Sequence, residues 1–179
     1  NFKHPAIYDT IADALKQGDT SYYTEAAAAR SIGGMVSGNL KNKQPETISL
    51  LKTILEQRQG WNEVVRGGAI AGLSKMTTSA DAVDLIMEYT KVGIPQALRL
   101  TSIRCLGTIS TGQTPEKLGE ILEQLEAIAG ESFFLTQVAV VGALGQMQTP
   151  QAITILNELA AQTPDGRVRR RAEEAVIKV

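Results

Sequence analysis

Val65-Arg66-Gly67-Gly68-Ala69-Ile70-Ala71-Gly72-Leu73 sets a long polar side chain, a small residue three positions on and an aliphatic residue four positions after that along one helical face. The spacing returns four times, as Glu25, Ala28, Ile32; Arg99, Ser102, Leu106; Gln137, Val140, Leu144; and Arg169, Ala172, Val176. From Ile32 to Val176 the aliphatic members lie 41, 33, 38 and 32 residues apart. Periods of this size belong to helix-pair units that cannot bury their apolar faces alone and therefore stack. The sequence predicts an all-α, right-handed α-solenoid of about five helix pairs, ten helices and no sheet, as a single domain over residues 1–179.

The intervening segments supply the first helix of each pair. Thr114-Pro115-Glu116 and Thr149-Pro150-Gln151 each put a capping hydroxyl before a proline at the first helical position. Gln44-Pro45-Glu46 opens a similar helix with Ile48, Leu51, Ile54 and Leu55, and Ser79 or Thr78 caps one carrying Val83, Ile86 and Met87. Second helices start at Ser21, Asn62 and Asp165, where a cap is needed. Turn chemistry separates the helices at Gly18-Asp19, 37–43, Gly60, 93–95, Gly112, Gly130 and 164–166.

Composition narrows the function. Aromatic residues are only 4%, so Ala, Leu, Ile and Val must build the core. A net charge of −1 lacks the basic excess of a dedicated nucleic-acid binder. The single cysteine, Cys105, precludes an internal disulfide and a cysteine metal cage, which fits a reducing cytoplasm. No run approaches the roughly 20 apolar residues of a membrane span, and no export segment is visible. The chain starts Asn1-Phe2-Lys3 and reads as helix from Tyr8 to Leu15, which suggests a C-terminal piece of a longer protein.

Asp165-Gly166-Arg167-Val168-Arg169-Arg170-Arg171-Ala172, continuing to Val176, resembles the second helix of a HEAT repeat, and Val65 to Leu73 is similar. Pro95 and Phe133 replace the family's aspartate in the third and fourth repeats, and Gln137 replaces its arginine. The resemblance implies scaffolding, not an activity. A narrower one joins the stretches 18–27 and 133–139 with the arginine-rich end. Together they resemble the C-terminal HEAT-repeat region of bacterial, notably cyanobacterial, zinc aminopeptidases of the aminopeptidase N type. That implies a non-catalytic wall and docking surface for an upstream catalytic domain. Zinc and its H-E-x-x-H ligands would reside in that domain, with no cofactor in this chain. The alternative is a free-standing protein-interaction scaffold resembling HEAT-type phycobilin lyase subunits or assembly factors. Both readings expect a protein partner and neither a nucleic acid nor a membrane.

No constellation supports independent catalysis. His4 is the only histidine, which leaves neither a zinc ligand set nor a Ser-His-Asp or Cys-His arrangement. Cys105 reads as a small buried hydrophobe on the core side of its helix. Arg66, Arg99 and Arg169 share one repeat position and are expected as a ladder on one edge, paired with neighbouring repeats or, less favoured, open to an acidic ligand. Arg167, Arg169, Arg170 and Arg171 spread around their helix and have Glu173 and Glu174 within a turn, so a salt-bridged surface is favoured over a phosphate site. Gly33-Gly34 and Gly67-Gly68 read as close-packing positions, because no phosphate-loop spacing follows a strand. Tyr22, Tyr23, Trp61, Phe133 and Phe134 stand at the starts of second helices, where they either seal the loops or form a binding strip.

Overall fold

A computed structural model describes residues 4–18, 21–38 and 40–177, with Trp61 described by its backbone alone. The readings placed on residues 1–3, on Asp19 and on the Trp61 side chain lie outside the described residues. Among the described residues ten α-helices form five pairs: α1 (Pro5–Gln17) with α2 (Tyr22–Val36), α3 (Gln44–Gln57) with α4 (Val64–Leu73), α5 (Ala80–Glu88) with α6 (Gln96–Ile109), α7 (Pro115–Ala129) with α8 (Phe134–Met147), and α9 (Pro150–Gln162) with α10 (Gly166–Ile177). Short 3-10 turns precede α3 and α4 and follow α6, and no strand occurs among the described residues. No described helix is long and apolar enough to cross a membrane.

Local chemistry sets most of these ends. Ser21, Ser79, Thr114 and Thr149 each accept a backbone N–H from three residues on, at 3.2–3.3 Å. Asp165 Oδ1 caps α10 by accepting the Arg167 N–H at 2.9 Å. His4, the single histidine, caps α1 through Nδ1, which accepts the Ala6 N–H at 3.2 Å. Asn62 does not cap. It and Glu63 adopt left-handed backbone, φ 50° and 58°, and α4 starts one residue later with no side-chain cap. Glu63 is held instead by the Arg66 guanidinium.

Four aliphatic members of the recurring signature, Ile32, Leu73, Leu106 and Leu144, are fully buried in one continuous core, and the fifth, Val176, is half-buried against it at the end of the last helix. The second helices of successive repeats pack against one another much more closely than the first helices do. The sequence provides for this with glycine at the contact. A Cβ on Gly33 would lie 2.0 Å from the Gly72 carbonyl oxygen, one on Gly68 2.5 Å from that of Ala26, and one on Gly107 2.5 Å from that of Ala143. Only one member of each glycine pair does this, since a Cβ on Gly34 or Gly67 would meet nothing within 4 Å. Closer spacing in one layer curves the stack, so the second helices line its inner side.

Candidate functional site

The polar member of each signature occupies the first turns of a second helix, and each is engaged. Glu25, buried, faces Arg58 Nε at 3.5 Å. Arg66 donates to Glu63 at 2.9 Å and lies over the Tyr89 ring, 5.6 Å from its centroid. Arg99 Nε donates to the Thr90 carbonyl at 2.7 Å, while both its terminal nitrogens donate to Glu131. Gln137 donates to the Ala129 carbonyl at 3.3 Å and accepts from the Thr163 hydroxyl at 3.2 Å. Arg169 donates to the Ala160 and Thr163 carbonyls at 3.2 and 3.0 Å.

Arg58, Tyr89, Glu131 and Thr163 each sit in the turn between the two helices of the following repeat. The first four polar positions thus latch one repeat to the next. Arg66 and Arg169, expected to pair with a neighbouring repeat, take their hydrogen-bond acceptors within their own, because Glu63 and the end of α9 lie nearer. Burial raises the Tyr89 pKa, against a smaller opposing pull from Arg66.

On the same edge stand exposed apolar side chains. Tyr22 and Tyr23 open α2 at 52% and 66% exposure, and Phe133 and Leu135 flank the start of α8 at 49% and 39%. Val92, in the turn before α6, joins them. Phe134 differs from its neighbour: it is half-buried under the Arg167 guanidinium, 4.0 Å from its ring centroid. It therefore ties α8 to α10 and is withdrawn from the rim.

The inner face is a set of ridges and valleys. Over α4 the outward positions are Gly67 and Ala71, with Gly68 at the α2 contact, which leaves an open valley of about 380 Å³ between Tyr23, Ala27 and Arg30 of α2 and Ala97 and Thr101 of α6. A second valley of about 300 Å³ runs over Gly142 and Gly145 of α8, bordered by Arg171 of α10. Lys75 follows α4, and Arg104 stands on α6 one turn beyond Thr101. Arg30, Lys75 and Arg104 all act electrostatically on the Cys105 thiol. Burial nevertheless pushes that thiol's pKa up, because desolvation outweighs the Ser74 hydrogen bond and the three cations. Cys105 is partly buried against the core, as a packing residue.

Of the arginine-rich run, Arg167 pairs with Asp165 at 2.7 Å and Arg170 with Glu174 at 3.5 Å. Arg169, expected to use a glutamate one turn on, uses carbonyls instead. Among the described residues no group of three His, Cys, Asp or Glu side chains is placed to hold a metal.

Sequence reasoning missed Arg30 and Lys75, the exposed Val92 and Leu135, and the four latch partners. Those partners lie 6–10 residues before the next signature position, a variable offset that no repeat pattern reveals.

Residues 93–177 match the family model described as HEAT repeats. No curated protein matches the sequence. Among solved structures, a chain from the complex of CpcE and CpcF of phycocyanin lyase from Nostoc sp. PCC7120 is similar, with a TM-score of 0.65 and 18% identity over 96% of this chain and 99% of that one. An engineered protein is also similar, with a TM-score of 0.55 and 16% identity over 94% of this chain and 78% of that one. The shared feature is the HEAT-like solenoid fold.

Proposed function

We propose that this HEAT-like solenoid is a non-catalytic, cytoplasmic scaffold that docks another protein, in the manner of a free-standing assembly factor or lyase-type subunit. One observation carries the reading. Tyr22, Tyr23, Phe133 and Leu135 stay exposed on one edge although the core beneath them is complete without them. Exposed aromatics grouped on a rigid edge are what protein interfaces are enriched in. The fold shared with a chain of a two-protein lyase complex supports the same reading.

A second reading sets the same edge against a zinc aminopeptidase catalytic domain lying upstream in one polypeptide. It is favoured by the fact that the aminopeptidase-like stretches 18–27 and 133–139 contain the exposed tyrosines and phenylalanine. An H-E-x-x-H motif in the reading frame upstream would select it over a separate partner.

The test replaces Tyr22 or Phe133 with a photo-crosslinking phenylalanine in the cells that make the protein, with Glu46 on the outer layer as control. The expected result is one defined protein adduct from both rim positions and none from Glu46. Absence of rim adducts, or equal labelling from Glu46, refutes the reading.

A further inference from the structure

The charges of the chain are divided between its two helix layers. The first helices carry twelve carboxylates and three lysines, whereas the second helices carry eight arginines and three glutamates. The net charge of −1 conceals this separation. On the basic side, Arg66 and Arg99 are consumed by the latches, Arg169 by the Ala160 and Thr163 carbonyls, and Arg167 and Arg170 by Asp165 and Glu174. Apart from Arg171, which borders the α8 valley, Arg30 and Arg104 are different. Both occupy the position five residues after the signature's polar residue, in the first and third repeats, and both are exposed. Lys75, also exposed, ends the repeat between them. Among the described residues no carboxylate lies within ion-pair distance of any of the three, yet each is close enough to influence Cys105.

Arg30 lines the valley over α4, and Lys75 and Arg104 stand about one helical turn beyond its lining residues Ala71 and Thr101, so three successive repeats each bring a cation to that end. The floor of that valley is nearly bare backbone, since Gly67 has open space above it and Ala71 adds one methyl. Tyr23 closes its other end and belongs to the exposed aromatic edge. We propose that this valley docks an acidic segment of a protein partner, with the segment's carboxylates against Arg30, Lys75 and Arg104 and its backbone laid over Gly67 and Ala71. The proposal rests on the protein-docking reading above and names the chemistry of the partner. A bare floor lets a helix or extended segment approach closely, and the free cations meet its charge at the far end. A small anion is a poorer match, because the cations are solvated and the valley is open rather than enclosed. Opposite charge across such an interface sets encounter rate and partner choice, and salt weakens it.

The probe is a fluorescein-labelled Glu/Ala peptide of about 15 residues, whose helix of roughly 22 Å spans α2 to α6 at ordinary interhelical spacing. Fluorescence anisotropy with the full chain should show saturable binding that weakens with salt, and none for the same peptide with Gln in place of Glu. The triple variant Arg30→Glu, Lys75→Glu, Arg104→Glu should raise Kd about tenfold or more, as each reversal exchanges attraction for repulsion. Gly67→Leu, which projects into open space, should do the same by filling the valley. Lys16→Glu with Lys52→Glu, on the outer layer, should leave Kd within about twofold, since those charges are screened across the thickness of the stack.

Equal losses in inner- and outer-layer variants, or unaltered binding in Gly67→Leu, overturn the proposal. Self-association of the chain that the triple variant abolishes also overturns it, by assigning the valley to the acidic layer of a second copy. Rim adducts that persist in the triple variant leave the docking reading standing and sink the acidic groove alone. Peptide binding without rim adducts does the reverse.

Discussion

Gly33 and Gly34 are neighbours in one helix with opposite surroundings, so replacing each with alanine isolates helix contact from helix propensity. In either case alanine favours an interior helical position by about 0.8–1 kcal/mol. At Gly34 the new methyl meets nothing within 4 Å. At Gly33 it would sit 2.0 Å from the Gly72 carbonyl oxygen, with the carbonyl carbon at 2.4 Å and Cα at 2.7 Å. All three atoms are backbone, so no rotamer change relieves the clash. Ordinary van der Waals separation requires α2 and α4 to part by about 1.5 Å, which loosens the core that holds fully buried Ile32 and Leu73. Overpacking of this kind costs about 1–3 kcal/mol, or more when backbone must move. With backbone forced to move, the cost is about 3 kcal/mol, or about 2 kcal/mol net of the propensity gain, so at about 2–4 °C per kcal/mol in a chain of this size Gly33→Ala should melt roughly 4–8 °C lower than the parent. Gly34→Ala should melt about 2–3 °C higher, by the propensity gain alone. Circular dichroism at 222 nm with a calorimetric scan reads both. A Gly33→Ala protein as stable as the parent, or a Gly34→Ala protein equally damaged, refutes the close approach of these helices.

Arg99→Met should cost about 1–3 kcal/mol by leaving Glu131 and the Thr90 carbonyl without their donor, measured by chemical denaturation; a loss below about 0.5 kcal/mol would demote this latch to an ordinary surface pair. Asp165 is held down to about pKa 2, chiefly by the Arg167 side chain and then by its backbone N–H. Its ionised form therefore favours the fold above the unfolded value of about 3.9, and that contribution disappears as pH falls towards 2. Asp165→Asn should lower the melting temperature at neutral pH and flatten its decline between pH 4 and 2, whereas parallel pH curves for variant and parent would contradict the cap. Burial raises the Cys105 thiol pKa, so iodoacetamide at pH 8 should alkylate it more slowly than it alkylates glutathione, and a rate equal to that of glutathione would show an accessible thiolate.

How far the sequence could be read depended on whether a feature repeats at fixed spacing. Ile32, Leu73, Leu106 and Leu144 were legible as core because burial follows helical period, and Ser79, Thr114 and Thr149 were legible as caps because a cap acts three residues away. Asn62 broke that rule: the turn from Gly60 into α4 uses two left-handed residues, Asn62 and Glu63, so the Asn62 side chain does not reach the helix as a cap. The aromatics at second-helix starts were legible as a set, but nothing in the text separates Phe133, exposed, from Phe134, packed under Arg167 of the next repeat. Phe134 owes its place to a residue 33 positions away.

The sequence by itself determined the class of fold and its building unit, the helix pair. These follow from local periodicity, capping and residue inventory, which need no knowledge of neighbours. Only the tertiary structure decided which glycine of each pair touches backbone, which arginines are spent in latches and which three cations stay free beside the α4 valley. Those outcomes depend on the angle and distance at which one repeat stacks on the next. Inter-repeat turns of unequal length set that geometry, and their variable spacing carries no periodic trace in the chain.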